Sequence, residues 1–134
     1  MSAISVLDNE YATVVYHPDK KIIHHTFREP IGGEKFQHVL KVDLECFEKG
    51  ATKLLSDDRL NSVLSAEDTK WATKTWFKWV QAAGWKSWAL VVPHDLFARL
   101  NLIEHVNHYS RRGIRVMVFT NPEEAFTWLD TLED

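Results

Sequence analysis

The sequence predicts an α/β fold: a mixed, mostly parallel sheet of five strands with four helices, in the order β-β-α-β-α-β-α-β-α. Three observations predict it. Short apolar runs at 52–56, 87–92 and 114–119 alternate with longer stretches whose apolar residues recur at helical spacing. Glycine or proline punctuates the junctions, at Pro30, Gly32, Gly33, Gly50, Gly84, Pro93, Gly113 and Pro122. The connections are short, and strands that alternate with helices over short connections lie parallel.

Each element has its own warrant. Tyr11 to Tyr16 is rich in β-branched and aromatic residues, His17-Pro18-Asp19-Lys20 is a turn, and Ile22 to Phe27 resumes the strand pattern. This hairpin supplies the antiparallel part of the sheet. Residues 34–49 form a helix, because Phe36, Val39, Leu40, Leu44 and Phe47 share one face at about 100° per residue. Asp43 falls inside that stripe. A carboxylate there is costly without a partner. It either points into a ligand cavity or lies at the margin, facing solvent or an arginine.

Ser65 opens the next helix, with Asp68 in a capping-box position. The helix runs to Ala83, and its core stripe is Ala72, Trp76, Trp79, Val80 and Ala83. Ser87 to Val92 is nearly all apolar, as in a central parallel strand covered on both faces. Asp95 caps a helix to Arg112 with a Leu96, Leu100, Ile103 stripe, so His105 and His108 are expected on its outer side. After the last strand, Asn121-Pro122-Glu123-Glu124 combines a cap, an N1 proline and acids facing the helix dipole.

A chain of 134 residues fits one domain spanning 1–134, with an ordered core of about 11–132. Net charge is −3, which gives no basic field to attract nucleic acid. The single cysteine, Cys46, cannot form an internal disulfide, and with no CxxC motif the chain reads as cytoplasmic. No signal peptide is expected at Met1–Asp8, and no run reaches the roughly 18 apolar residues of a membrane span. Seven histidines show no metal-binding spacing; His24 and His25, adjacent in a strand, point to opposite faces. Neither a metal nor a cofactor is expected.

The candidate site is the end of the third strand. Lys53-Leu54-Leu55-Ser56 stops at Asp57, Asp58 and Arg59, which places polar groups at the carboxyl edge of the sheet, where α/β folds build their sites. The three side chains are expected to meet water at a shared rim. Arginine suits an anion and paired aspartates suit a cation; the structural alternative is an Arg59 ion pair with one aspartate while the other caps the loop. Ser65 is either a modifiable hydroxyl or a plain N-cap contributing about 1 kcal/mol. Five of six tryptophans lie between Trp71 and Trp88. Trp71 and Trp85 are candidates for an aromatic groove or dimer interface, where aromatic anchors concentrate; otherwise they widen the buried face.

The element order, together with the phrases Leu55-Ser56-Asp57-Asp58-Arg59, Ser65-Ala66-Glu67-Asp68-Thr69, Ala82-Ala83-Gly84-Trp85-Lys86 and Val118-Phe119-Thr120-Asn121-Pro122-Glu123-Glu124-Ala125, resembles the SpoIIAA-like (STAS) domains, in particular a short single-domain bacterial subgroup. The resemblance covers the chain from Tyr11. It implies a regulatory protein like the anti-sigma-factor antagonists, with Ser65 at the position comparable to the phosphorylated serine. The family's aspartate-serine-serine-glycine type motif is replaced by Leu64-Ser65-Ala66. Related architecture in SEC14-type lipid-binding domains implies a possible small apolar ligand.

The expected function is therefore a non-enzymatic module. It presents the 57–65 loop to a protein partner or a small apolar ligand, and its surplus aromatics offer a surface for a homodimer. The alternatives are an enzyme or metal-dependent site using Asp57 and Asp58 with Arg59, and a lipid carrier.

Overall fold

Six strands lie across one sheet in sequence order, β1 (Ile4–Asp8), β2 (Ala12–His17), β3 (Ile22–Phe27), β4 (Lys53–Asp57), β5 (Ser87–Val91) and β6 (Arg115–Phe119). The computed structural model describes residues 3–133. β1, β2 and β3 form an antiparallel meander, and β3 through β6 are parallel. The mixed, mostly parallel α/β architecture agrees with the sequence, but the sheet has six strands rather than five. The additional strand is β1, so ordered structure begins before Tyr11. Its alternation is broken by a register shift between Ser5 and Leu7, which removed the period-2 signal.

The helices are α1 (Gly33–Glu48), α2 (Ala66–Lys70), α3 (Phe77–Ala83), α4 (Leu96–Ser110) and α5 (Pro122–Thr131). A π-helical segment, Trp71–Trp76, joins α2 to α3, so 66–83 is one continuous helical unit. Each crossover from β3 to β6 steps one strand the same way. A common hand therefore puts α1, the α2–α3 unit and α4 on one face of the sheet. The chain then crosses the sheet edge and lays α5 on the other face, where Ala125 and Leu129 pack on Ile22, Leu55, Ala89 and Val91.

The predicted caps are present. Ser65 Oγ accepts from Asp68 N, Asp95 Oδ2 from Ala98 N and Asn121 Oδ1 from Glu124 N. The breakers also have specific work. Gly33, at φ +61°, donates its N–H to both carboxylate oxygens of Asp68, at 3.2 and 3.1 Å. One acid thus ties the start of α1 to α2. Gly84, at φ +123°, ends α3 in a conformation that L side chains rarely adopt.

Two predicted faces are corrected. Within the α2–α3 unit, Trp76 and Val80 are buried as expected, but Trp79 is 42% exposed and the flanking Phe77 is buried. A π turn closes i→i+5 bonds and inserts a residue, so positions beyond it rotate away from the face that a uniform α-helix would present. In α4 the expected stripe points outward: Leu96, Leu100 and Ile103 are 61, 54 and 42% exposed, whereas Ala98, Leu102 and Tyr109 are buried. Apolar residues stand on both sides of α4, and periodicity could not choose between them.

Candidate functional site

Strand alternation divides the polar end of β4. Asp57 and Asp58 are neighbours, so their side chains point to opposite faces. Asp57 lies on the α5 face. It takes a two-pronged ion pair from Arg59, with Nε to Oδ1 at 2.9 Å and Nη2 to Oδ2 at 2.8 Å, while Arg59 N also donates to Oδ1 at 3.3 Å. The pair with Asp57 raises the Arg59 guanidinium further above its ordinary value, against a small burial effect. Asp58 lies on the opposite face, under the helices. The shared solvent rim is therefore corrected: both aspartates are buried and only Arg59 is partly open. The ion-pair alternative holds for Asp57, whereas the Asp58 carboxylate points inward instead of capping the loop.

Asp58 meets a histidine. Along β3, His25 shares the helix-side face with Ile23 and Phe27, and His24 takes the other face. Burial drives His24 down to about 4, with Asp57 opposing. His25 Nδ1 lies 2.6 Å from Asp43 Oδ2, and His25 Nε2 lies 3.9 Å from Asp58 Oδ1. Asp43 is fully buried, so the margin reading of this residue is corrected: its partner is a histidine inside the core.

The three groups act on one another's protonation. Burial lowers His25, but the Asp43 carboxylate and its hydrogen bond, with Asp58 and Asp57 behind, outweigh it and leave His25 raised. Burial raises Asp43, with His25 opposing. Burial also raises Asp58 to about 7, again opposed by His25 and reinforced by Asp57 and Asp43. The His25–Asp43 pair thus retains its proton, and Asp58 titrates near neutrality.

His25 and Asp58 form the polar end of a cavity of about 60 Å³ between the sheet and the helices, with Asp43 behind His25. By a water-sized measure this is room for roughly four waters. Most of the lining is apolar or aromatic, including Phe27, Phe36, Trp76, Trp88, Leu102 and Tyr109. The polar lining comes from His25, Ser56, Asp58 and Asn61 at one end and from Thr69, Thr73 and His105 beneath the helices. Several polar groups of the walls are held in place. Trp76 Nε1 donates to Leu40 O and Trp88 Nε1 to Ser56 Oγ, both at 2.7 Å. Asn61 Oδ1 accepts from Ile31 N and Ser62 N, which fixes the loop after β4. By contrast, Asp58 Oδ1 is buried without a hydrogen-bond partner. Such a group costs about 1–3 kcal/mol or more unless something satisfies it.

The cavity leads outward between the π segment and α4. Leu64, Thr69, Thr73 and His105 line both the cavity and the outer cleft. π segments occur frequently at functional sites. His105, expected on the outer side of α4, faces this passage, and burial lowers its pKa.

The remaining candidates separate. Ser65 is exposed and caps α2 through Oγ. Trp71 is half-buried, edge-on to Phe36 and Trp79, and does not line the cavity. Trp85 is a buried cavity wall whose Nε1 donates to Ser87 O. The structure therefore does not join Trp71 and Trp85 in one groove. Sequence reasoning missed His25, Ser56, Asn61 and His105 as site residues. A usable signal was present: a carboxylate in the α1 stripe and a histidine in phase with Ile23 and Phe27 need each other. Among the described residues no group of three or more His, Cys, Asp or Glu is placed to hold a metal ion, and no helix is long and apolar enough to cross a membrane. No family model matches the chain, nor does any curated protein or solved structure.

Proposed function

We propose that this protein is a binding module for a small, largely apolar ligand with one polar head group. The apolar body occupies the aromatic cavity and the head meets Asp58 and His25. The observation that carries the reading is Asp58 Oδ1, a buried carboxylate oxygen without a hydrogen-bond partner at the end of a mostly apolar cavity. The 57–65 loop takes part as a wall, through Asp58, Asn61 and Leu64. Its outward face offers Leu60, Val63 and Ser65 to a protein partner. The likeness to cytoplasmic SpoIIAA-like regulators belongs to the same proposal and is supported by the quoted phrases and the element order. Self-association belongs to it too, supported by the exposed Leu96, Phe97 and Leu100 on α4.

The experiment is native mass spectrometry of the purified protein, followed by a tryptophan-fluorescence titration with benzyl alcohol. A bound small molecule, or saturable quenching abolished by filling the cavity with Ala72→Phe, supports the reading. Absence of both, with the variant still folded, defeats it. Native mass also reports the oligomeric state.

A second reading is a proton-transfer enzyme. It is favoured by the His25–Asp43 pair, since an imidazole oriented by a carboxylate at Nδ1 turns Nε2 toward the cavity as a general acid or base. That role falls to His25 with Asp58, because Asp57 is occupied by Arg59 on the other face.

A further inference from the structure

We infer that the head group recognised in this cavity is an amine, bound as its ammonium cation by Asp58 and enclosed by the aromatic walls. The inference rests on the proposed ligand-binding reading and specifies the ligand's chemistry.

The donor and acceptor inventory at the polar end points this way. Asp58 Oδ1 is an open acceptor, and its side chain is 7% exposed. The amide oxygen of Asn61 is engaged by two backbone N–H groups, and Ser56 Oγ by the Trp88 indole. The nearest protein donor, His25 Nε2, stands 3.9 Å away, beyond hydrogen-bond reach, so Asp58 Oδ1 is left to accept from a ligand. A carboxylate or phosphate would be repelled by Asp58; no lysine or arginine lines the cavity, and its one cation, protonated His25, is already held by Asp43.

Charge leads to the same conclusion. With Asp43 and Asp58 ionised and His25 protonated, two negative charges face one positive charge in a buried cluster. Buried charges are retained when they are paired. One ammonium group balances the count, and a charge-assisted hydrogen bond to Asp58 is stronger than a neutral one. The walls suit a cation as well. Trp88 and Tyr109 meet edge to face, with centroids 5.3 Å apart and planes at 90°, and Phe27 stands 4.8 Å from the His25 ring. Aromatic faces attract ammonium groups.

Binding is then linked to protons. The titratable or charged groups around Asp58 are His25 on β3, Asp43 on α1, Asp57 on β4, and His105 and Tyr109 on α4. Only an ionised Asp58 pairs with the ammonium, so affinity rises as pH increases from 6 to 8.

The test compares three probes of one shape by isothermal titration calorimetry on the full chain: benzylamine, benzyl alcohol and benzoate. At pH 8 benzylamine is expected to bind at least about tenfold more tightly than benzyl alcohol, and benzoate not to bind. Asp58→Asn should erase the amine's advantage over benzyl alcohol; a thermal melt verifies that the variant is folded. Independently of any variant, benzylamine affinity for the unaltered protein should weaken at pH 6, with fractional proton release on binding at pH 7. Equal affinity for alcohol and amine overturns the amine assignment but leaves the ligand-binding reading standing. No binding by any probe defeats both.

Discussion

His25 Nδ1 stands 2.6 Å from Asp43 Oδ2, and neither side chain exposes more than 4% of its surface. The contact joins the middle of β3 to the middle of α1 within the helix-side core. Its strength lies in mutual dependence. Removing one partner strands the other in a low-dielectric interior, whereas replacing both with apolar groups removes two desolvation costs.

Asp43→Leu alone is therefore expected to destabilise the protein by about 3–5 kcal/mol, and His25→Leu by a comparable amount. The double variant should be far more stable than the sum of the two losses implies. Urea unfolding of the four proteins gives the coupling energy directly. Strict additivity would mean that the two side chains do not interact.

Asp58 predicts an unusual pH response. Its pKa rises from the ordinary 3.8 to about 7 on folding. Between those values the folded state holds a proton that the unfolded state has released, so stability falls as pH rises through this window. The ceiling on that loss is roughly 4 kcal/mol, reached above pH 7. Asp58→Asn removes the titration. Relative to the unaltered protein it should gain stability progressively from pH 4 to pH 8. His24 acts in the opposite sense below pH 6.5. Held near 4, it is neutral in the fold and protonated in the unfolded chain, so its contribution improves as pH increases from 4 to 6.5. The difference between the two proteins cancels His24, which is common to both, and leaves Asp58 with its effect on His25. A difference that is flat with pH would refute the buried carboxylate.

On the opposite face, Asp57 is buried and Arg59 is 38% exposed at its side chain. The pair holds the end of β4 through two parallel hydrogen bonds. Arg59→Ala leaves the Asp57 carboxylate to partial hydration and is expected to cost about 1–3 kcal/mol. Arg59→Lys should restore less than half of this loss, since an ammonium cannot reproduce the planar fork. Thermal melts of the three proteins at one pH suffice. Full rescue by lysine would reduce the interaction to simple charge.

The sequence disclosed the fold through local signals that do not depend on distant contacts. Ser65, Asp95 and Asn121 announced helix starts, and Gly50, Gly84 and Gly113 announced their ends. The site was less legible because it is made by contacts across the fold. Asp58 and His25 are separated by more than thirty residues and become neighbours only when β3 and β4 pair in register. Strand parity could have separated Asp57 from Asp58, since the alternation already applied to His24 and His25 holds equally for them. The π segment left no compositional trace in Trp71–Trp76, so the altered phase of Phe77 and Trp79 was not readable.

The orientation of α4 gives a last test. Its outward residues Phe97 and Leu100 are 73 and 54% exposed, whereas Leu102 is 6% exposed and lines the cavity. Substitution at an exposed position that touches no core feature changes stability by about 0.5 kcal/mol or less. Phe97→Glu and Leu100→Glu should therefore leave the protomer folded, while dispersing the self-association proposed for this face. Leu102→Ala removes buried volume and should cost about 2–5 kcal/mol. The enlarged cavity should also admit a bulkier aromatic probe. Unfolding curves decide between the two faces of this helix. If Leu100→Glu were the destabilising change and Leu102→Ala the mild one, the Leu96, Leu100, Ile103 stripe would be the packed face, and the cavity wall assigned to Leu102 and His105 would have to be redrawn.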